Sequence, residues 1–413
     1  MRNYKHFADN NSIKKVLILL ILCYFGVTTS YFSAANERDQ ATTMHIRLTG
    51  IAPDETVLSH MAQYIEQNNS EAAAYLAMEN PSFYNITLKN WSAPWTNRDA
   101  DIFVPLNDYT ATVIGMVRDD VDFREVLSGD IVYIANDTAN VPAYSASNNG
   151  HYAALEAIGI DLKDVLQAQT QSQLSAIPAA ATAGVVTSRA AAKSFFKDGT
   201  NRAMLRFTLI NHLCTDLEAL KDTTRSPDRI RQDVSRSPGG DSRLFMNSCS
   251  GCHSGMDPLA QAYAYYNYDY DSDSDPDGDN GQLSYNQAGV IDSQTGTRVD
   301  AKYHINSNNF KYGFITDNDQ WTNYWRSGVN ANQGWNTTLP AQGHGAKSLG
   351  QELANSEAFA QCQAKKVFNN VCLREPDNAQ DRQQVATMVS EFKTRHYQIK
   401  PLFSSAANYC KGS

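Results

Sequence analysis

Near the middle of the chain two cysteines stand three residues apart, and a histidine follows the second at once: Cys249-Ser-Gly-Cys252-His253. The chemistry of this pentapeptide decides what the rest of the chain has to surround. Two thioethers three residues apart place the next imidazole under a haem iron, and C-x-x-C-H is the local signature of that attachment. Two other chemistries use a C-x-x-C pair. Half a zinc site would need further ligands, since zinc takes three or four from the protein; no second C-x-x-C and no H-x-x-x-H occurs elsewhere in the sequence. A thioredoxin-like redox pair would open a helix within a βαβ pattern, and none is visible. The favoured reading is haem c, with Cys249 and Cys252 as tethers and His253 as the proximal iron ligand.

The N-terminus supports it. Lys14 and Lys15 precede the apolar run VLILLILCYFGV, residues 16–27. The run is too short to span a bilayer comfortably and suits the core of a signal peptide. Ser33 and Ala35 fit a small-x-small cleavage pattern, so residues 1–35 read as a signal peptide cut after Ala35. Cys23 follows Leu22 rather than a small residue, which makes lipidation the weaker reading; an uncleaved N-terminal anchor is the other alternative. Cleavage removes four basic side chains and one acidic one, taking the net charge from -9 to -12. No Lys/Arg run marks a nucleic-acid partner. The expected location is periplasmic or extracellular, with no membrane span after cleavage. Covalent haem attachment takes place outside the bacterial cytoplasm, in keeping with export.

Export also brings thiols to where they pair. Six cysteines follow the leader: Cys214, Cys249, Cys252, Cys362, Cys372 and Cys410. With Cys249 and Cys252 on haem, four remain. Cys362 and Cys372 fall on one helical stretch, where ten residues span about 15 Å, against the roughly 4.4–6.8 Å a disulfide allows. They can pair only if the chain turns near Asn369-Asn370; the preferred expectation is that Cys410 ties the C-terminus to Cys362 or Cys372.

Periodicity predicts a mainly α protein with long irregular loops and few short β strands. Residues 36–52 read as an extended lead-in whose strand-like piece is MHIRLTG. A helix starts at Pro53-Asp54-Glu55 and repeats Val57, Met61 and Ile65 at spacing four. Residues 130–135 (DIVYIA) read as a strand and 154–171 as a helix. Residues 201–220 form an amphipathic helix with Met204, Leu205, Leu209, His212 and Leu213 on one face. A basic loop, 225–243, leads to the cysteine motif. GVIDSQ, 289–294, reads as a short β piece, and helices return from about residue 345. The expected division is a signal peptide at 1–35, an N-terminal helical region at 36–185, a helical c-type haem region at 186–345 and a C-terminal helical region at 346–413.

The stretch CSGCHSGMDPLAQAYAYYNYD, 249–269, resembles the haem-motif segment of the planctomycete-type cytochrome c domain family. There a C-x-x-C-H is followed by a D-P-L turn and an aromatic-acidic stretch. Asp257-Pro258-Leu259 match, and Ala260 stands where that family has glycine. Residues 356–403 are similar to the helical domain that follows in the same proteins, and the likeness covers roughly 190–410. The Asp-rich insertion at 271–279 departs from it. The resemblance implies a single-haem electron-transfer protein with redox partner proteins and names no substrate.

The sixth iron ligand is open at this stage. Met246 and Met256 lie on the proximal peptide and cannot readily reach the opposite ring face. His344, between two glycines, is the first candidate; His304, His212, Met204, Met388 and an open position follow. Arg225, Arg229, Arg231 and Arg236 could pair haem propionates, against the reading that most are solvated loop charges. Asp273, Asp275, Asp277 and Asp279 with Gly278 match the early positions of a calcium loop, but Ser284 stands where a bidentate Glu belongs. Calcium is thus a candidate second cofactor beside a solvated acidic loop. Tyr263, Tyr265, Tyr266, Tyr268 and Tyr270 could wall a haem, with aromatic packing as the default. No P-loop, G-x-S-x-G or H-E-x-x-H is present. The sequence thus reads as an exported mono-haem c-type cytochrome, an electron carrier rather than a stand-alone enzyme. Its alternatives are a haem enzyme with an open distal position and a non-haem, disulfide-stapled binding protein.

Overall fold

The computed structural model describes residues 36–412. The signal-peptide segment, with Cys23 and the expected cleavage site, lies outside the described residues. The described chain is mainly α, with three small two-stranded antiparallel sheets.

Helix α1 (Glu37–Thr49) begins at Asn36, whose side chain accepts the Asp39 N–H, and ends at Gly50 with φ 77°. This corrects the extended lead-in expected there. Ala41, Met44, His45 and Leu48 form the buried face; their 3-1-3 spacing is helical, but the stripe is short of large apolar residues and reads weakly. Helix α2 (Glu55–Glu66) starts as anticipated, with Asp54 accepting the Val57 N–H. Helix α3 (Ser70–Met78) follows, and α4 (Asp108–Arg118) is buried along most of its length. Strand β1 (Val132–Ala135) pairs antiparallel with β2 (Leu166–Gln169). The helix expected over 154–171 is therefore cut short: α5 (Gly150–Ile158) stops at Gly159, which takes φ 63°, and the chain turns into β2. A partner strand more than thirty residues away overrides the local helical pattern.

Helix α6 (Arg189–Phe195) leads to α7 (Asn201–Leu213), which ends at Cys214 in the left-handed conformation. Its predicted apolar face, Met204, Leu205, Leu209, His212 and Leu213, is buried. After the basic loop comes α8 (Ser250–Ala260), which carries the cysteine motif. Strands β3 (Tyr266–Asp269) and β4 (Gln282–Tyr285) pair, as do β5 (Gln320–Thr322) and β6 (Gln342–His344). The β piece expected at 289–294 is instead a turn in which Asp292 accepts the Gln294 and Thr295 N–H groups. The chain closes with α9 (Gly345–Ala354), α10 (Glu357–Cys372), α11 (Ala379–Thr394) and α12 (Lys400–Cys410).

One continuous apolar core runs from Ala41 to Ala407 and draws on all three segments expected after the leader. Helix α12 packs on α1 and α3, and α10 packs on α7. Two disulfides staple this body: Cys214–Cys362 joins the end of α7 to α10, and Cys372–Cys410 joins the end of α10 to α12. The second is one of the two pairings anticipated for Cys410, and Cys362 and Cys372 do share a helix. Such pairs belong to an oxidising compartment. No helix among the described residues is long and apolar enough to cross a membrane.

Candidate functional site

Cys252 and His253 sit on α8, and Cys249 ends the π-helical segment, Phe245–Cys249, that runs into it. Cys249, Cys252 and His253 fall at positions i, i+3 and i+4, which share one helix face. The opposite face carries Gly251 and Gly255. A Cβ at Gly255 would lie 2.0 Å from the Trp325 Nε1, and one at Gly251 would lie 2.6 Å from the Lys221 side chain. These two glycines let the indole and the 221–223 backbone close on the back of α8, so the front is left to the sulfur and imidazole groups.

Asp257-Pro258 was expected to turn the chain out of the motif. Instead α8 continues through Pro258 to Ala260. The proline removes one helical hydrogen bond, but side chains hold the end in place. Asn201 Nδ2 donates to the Ala260 carbonyl at 2.9 Å, and Gln261 Nε2 donates to that of Asp257 at 3.2 Å. The consequence is chemical, because a helical Asp257 stands four residues from His253. Its Oδ1 lies 3.1 Å from His253 Nδ1.

Asp257 is fully buried, while the His253 side chain is 22% exposed. The carboxylate has no freedom to swing. Arg202 Nε donates to Oδ1 at 2.6 Å and Arg202 Nη2 to Oδ2 at 2.7 Å; the Arg231 N–H reaches Oδ2 at 3.0 Å. Arg202 also binds Asp233 at 2.6 Å, and Arg231 binds Asp233 at 3.1 Å and Asn201 Oδ1 at 2.8 Å. Burial alone would push the Asp257 carboxyl up, but the Arg202 guanidinium and His253 hold it far below the usual carboxylate range. It is an anion inside the protein, paired and hydrogen-bonded as a buried charge must be. Nothing in the sequence separated Asp257 from turn chemistry except its i+4 spacing to His253.

Among the described cysteines only Cys249 and Cys252 are unpaired. Cys249 packs against Ile230, Val234 and Phe245, and the Cys252 Sγ lies 3.6 Å from the Leu217 carbonyl. Burial pushes the Cys252 thiol up. Leu244 and Met246, just before the motif, are each 51% exposed.

The candidates for the opposite haem face lie in different places. His212 is buried in the body, with Nε2 2.7 Å from the Tyr109 hydroxyl. His344 stands at the surface with Nδ1 3.0 Å from Asp319. His304 binds the Thr316 carbonyl through Nε2 at 2.6 Å and borders a small cavity shared with Arg231 and Asp233, beside the Asp257 network. Met204 and Met388 are buried, as is Met256.

The four arginines expected as propionate partners or solvated charges are structural. Arg231 belongs to the Asp257 network. Arg225 binds Asp222, Arg229 lies over Phe314 at 4.3 Å, and Arg236 lies between Phe245 and Phe310 at 4.7 and 4.3 Å. The aspartates of the acidic loop do not converge. Asp275 accepts the Asp279 and Asn280 N–H groups, Asp279 pairs with Lys193, and Asp273 and Asp277 point to solvent. No cluster of three His, Cys, Asp or Glu side chains placed to hold a metal ion occurs among the described residues. Tyr263, Tyr265, Tyr266 and Tyr268 are buried, and Tyr266 stacks on Phe196.

A groove of about 580 Å³ lies elsewhere, between Asn107, Asn149, Arg189 and Lys193. Its polar groups are already engaged: Asn107 and Asn149 donate to backbone carbonyls, and Arg189 donates to that of Gly281. The two unpaired thiols and His253 lie on α8 and at its entry. No family model, no curated protein and no solved structure matches the chain.

Proposed function

We propose that this chain is an exported mono-haem c-type cytochrome that passes single electrons to and from redox partner proteins. Haem is tethered by Cys249 and Cys252, and His253 is its proximal ligand. One observation carries the reading. Of the six cysteines after the leader, four close the two disulfides, and the two left as thiols are those of C-x-x-C-H, on one helix face with a histidine held by a buried carboxylate.

The residues fit the group. Asp257 engages His253 Nδ1, which leaves Nε2 for a metal, the arrangement in which outer carboxylates orient ligating histidines. Ile230, Val234 and Phe245 give Cys249 an apolar surround, and Leu244 and Met246, just before the motif, are exposed. The competing chemistries fit less well. A thioredoxin-like dithiol opens a helix within a βαβ pattern, whereas the three small sheets are all antiparallel pairs. A zinc site needs side chains converging on one ion, and Cys249, Cys252 and His253 do not form such a cluster. The likeness of residues 249–269 and 356–403 to the planctomycete-type cytochrome c domain family points the same way.

Bound haem would supply a ferrous/ferric couple. The protein's own part is to fix and tune it. The two sulfurs hold the ring to α8, the Asp257 carboxylate sets the plane of the His253 imidazole, and Arg202 and Arg231 balance that buried charge.

The test is expression in a host that matures c-type cytochromes. The expected result is haem that survives denaturing electrophoresis, a mass increase of one haem, and loss of the covalent adduct in Cys249→Ala with Cys252→Ala. A mature protein of unmodified mass from such a host would overturn the proposal.

A further inference from the structure

We infer that Asp257 is the residue that positions the haem ligand and sets its electron donation: its carboxylate accepts a hydrogen bond from the His253 Nδ1–H and shifts the iron couple toward the ferric form. This rests on the proposed haem function and goes beyond it by assigning the redox level to a residue outside the C-x-x-C-H motif.

Three observations carry it. The first is geometry: His253 and Asp257 are one helical turn apart on α8, and their contact of 3.1 Å is made inside a single element. The second is rigidity. Both oxygens of Asp257 are committed, Oδ1 to Arg202 and His253, Oδ2 to Arg202 and the Arg231 N–H. A carboxylate fixed in this way cannot rotate off the ring, so it selects both the tautomer and the plane of the imidazole. The third is charge. The side chain has no solvent exposure, so its field at His253 is little screened by water.

An imidazole whose Nδ1–H points at an anion is a stronger donor through Nε2. A stronger donor stabilises the more positive metal state, here ferric iron. Arg202 works against this. It shares Oδ1 with His253 and spreads the negative charge over two partners, so the level is set by the balance between Arg202 and His253 on one oxygen. One electron moves in the couple and no atom is transferred; the Nδ1 proton stays in the hydrogen bond throughout.

The experiment uses the haem-loaded full chain and its variants Asp257→Asn and Arg202→Gln. Covalent haem content is measured first and reports on the proposed function alone. Redox titration then reads the inference. The amide introduced by Asp257→Asn keeps the shape and can still accept from Nδ1 but carries no charge. At a fixed potential the ferrous-to-ferric ratio should therefore rise at least tenfold, about 59 mV for one electron. Arg202→Gln frees the carboxylate for His253 and should move the ratio at least threefold the other way. The iron–histidine stretching band, read by resonance Raman on the ferrous protein after photolysis of bound carbon monoxide, should fall in Asp257→Asn.

Normal haem content with a ratio within twofold of the parent would overturn the inference and leave the haem function standing. A shifted ratio with an unmoved stretching band would also overturn it, since the carboxylate would then act only as a distant charge. If Asp257→Asn does not accumulate, Arg202→Gln decides by the same two readouts. A parent protein without haem would overturn the proposed function itself, and this inference with it.

Discussion

The helical body and the region around α8 are held together by different physics. In the body, α12 packs on α1, α3 and α10, and the 83–96 segment adds aromatic rings: Phe83 packs edge-on to Phe403 of α12 at 5.1 Å, and Trp91 to Trp95 at 4.6 Å. Two disulfides close it. Between residues 220 and 345 regular elements are short, and guanidinium groups take over. Arg202 binds Asp233 and Asp257, Arg231 binds Asp233, Arg298 lies over Tyr265 at 3.8 Å, and Arg326 binds Glu352 at 2.5 Å. The same residue type behaves differently in each. His212, enclosed in the body, has its pKa pushed far down by burial and then by Lys366, so it is a neutral hydrogen-bond partner of Tyr109. His253 is partly exposed and meets the buried Asp257 carboxylate through Nδ1. Burial closes the one off inside the core; a carboxylate and an open side set the other apart as the candidate for chemistry.

The contrast predicts its largest effect at the cysteines. Loop-closure entropy assigns about 5 kcal/mol to the pair separated by 148 residues and about 4 kcal/mol to the pair separated by 38. Urea unfolding of the double alanine variants Cys214→Ala/Cys362→Ala and Cys372→Ala/Cys410→Ala should show losses of that order. In haem-free protein, Cys249→Ala/Cys252→Ala should cost less than about 2 kcal/mol, because those side chains close no loop. A similar loss for all three pairs would erase the distinction between staples and open thiols.

A second test probes the close approach behind the motif. Gly255→Ala places a Cβ within 2.0 Å of the Trp325 indole, which must move because the indole is fully buried. Overpacking of this kind costs about 1–3 kcal/mol. Thermal unfolding should report that loss, and haem attachment should fall with it if Trp325 sets the tilt of α8. An unchanged melting temperature would mean that α8 is not seated on this ring.

Legibility in the sequence followed the same divide. Where a capping side chain met a strong apolar period, as at Asp54 with Val57, Met61 and Ile65, the element could be read from its own residues. Cys410 could be narrowed to two preferred partners because an unbroken helix keeps Cys362 from reaching Cys372. Helix α1 escaped because its buried stripe uses Ala41 and His45, which carry little periodic signal. Strand β2 escaped because its register depends on β1, some thirty residues earlier. At the candidate site the motif itself was visible, and its support was not. Asp257 next to Pro258 is ordinary turn chemistry until Arg202, 55 residues away, supplies the charge that makes a helical, buried aspartate tolerable. Arg229 and Arg236 read as solvated because Phe314 and Phe310, the rings they lie over, are distant in sequence.

The buried histidine gives a pH test with a defined sign. The folded-state pKa of His212 is below its ordinary value of 6.5, so on acidification the unfolded chain takes up this proton first. Stability is unaffected by this group above about pH 6.5 and falls as the pH drops below it, by at most about 1.4 kcal/mol per pH unit for one proton. His212→Phe should destabilise the body at all pH values by stranding the Tyr109 hydroxyl, yet show a shallower decline between about pH 6.5 and 5 than the parent. Parallel curves in urea titrations at each pH would show that His212 is not enclosed as described.

The smallest effect is expected at Asp273 and Asp277 of the acidic loop, where neither kind of interaction operates. Asp273 and Asp277 are exposed, and their carboxylates accept no hydrogen bond, whereas Asp275 and Asp279 are committed to backbone amides and to Lys193. Holding calcium would require the committed pair to release those partners. Replacing Asp273 and Asp277 by Asn should therefore shift stability by no more than about 0.5 kcal/mol, equally with millimolar calcium and with chelator. A calcium-dependent rise in melting temperature in the parent that is lost in the double variant would show that the loop rearranges around an ion. The acidic insertion would then be a third region, ordered by a ligand rather than by apolar packing or guanidinium pairing.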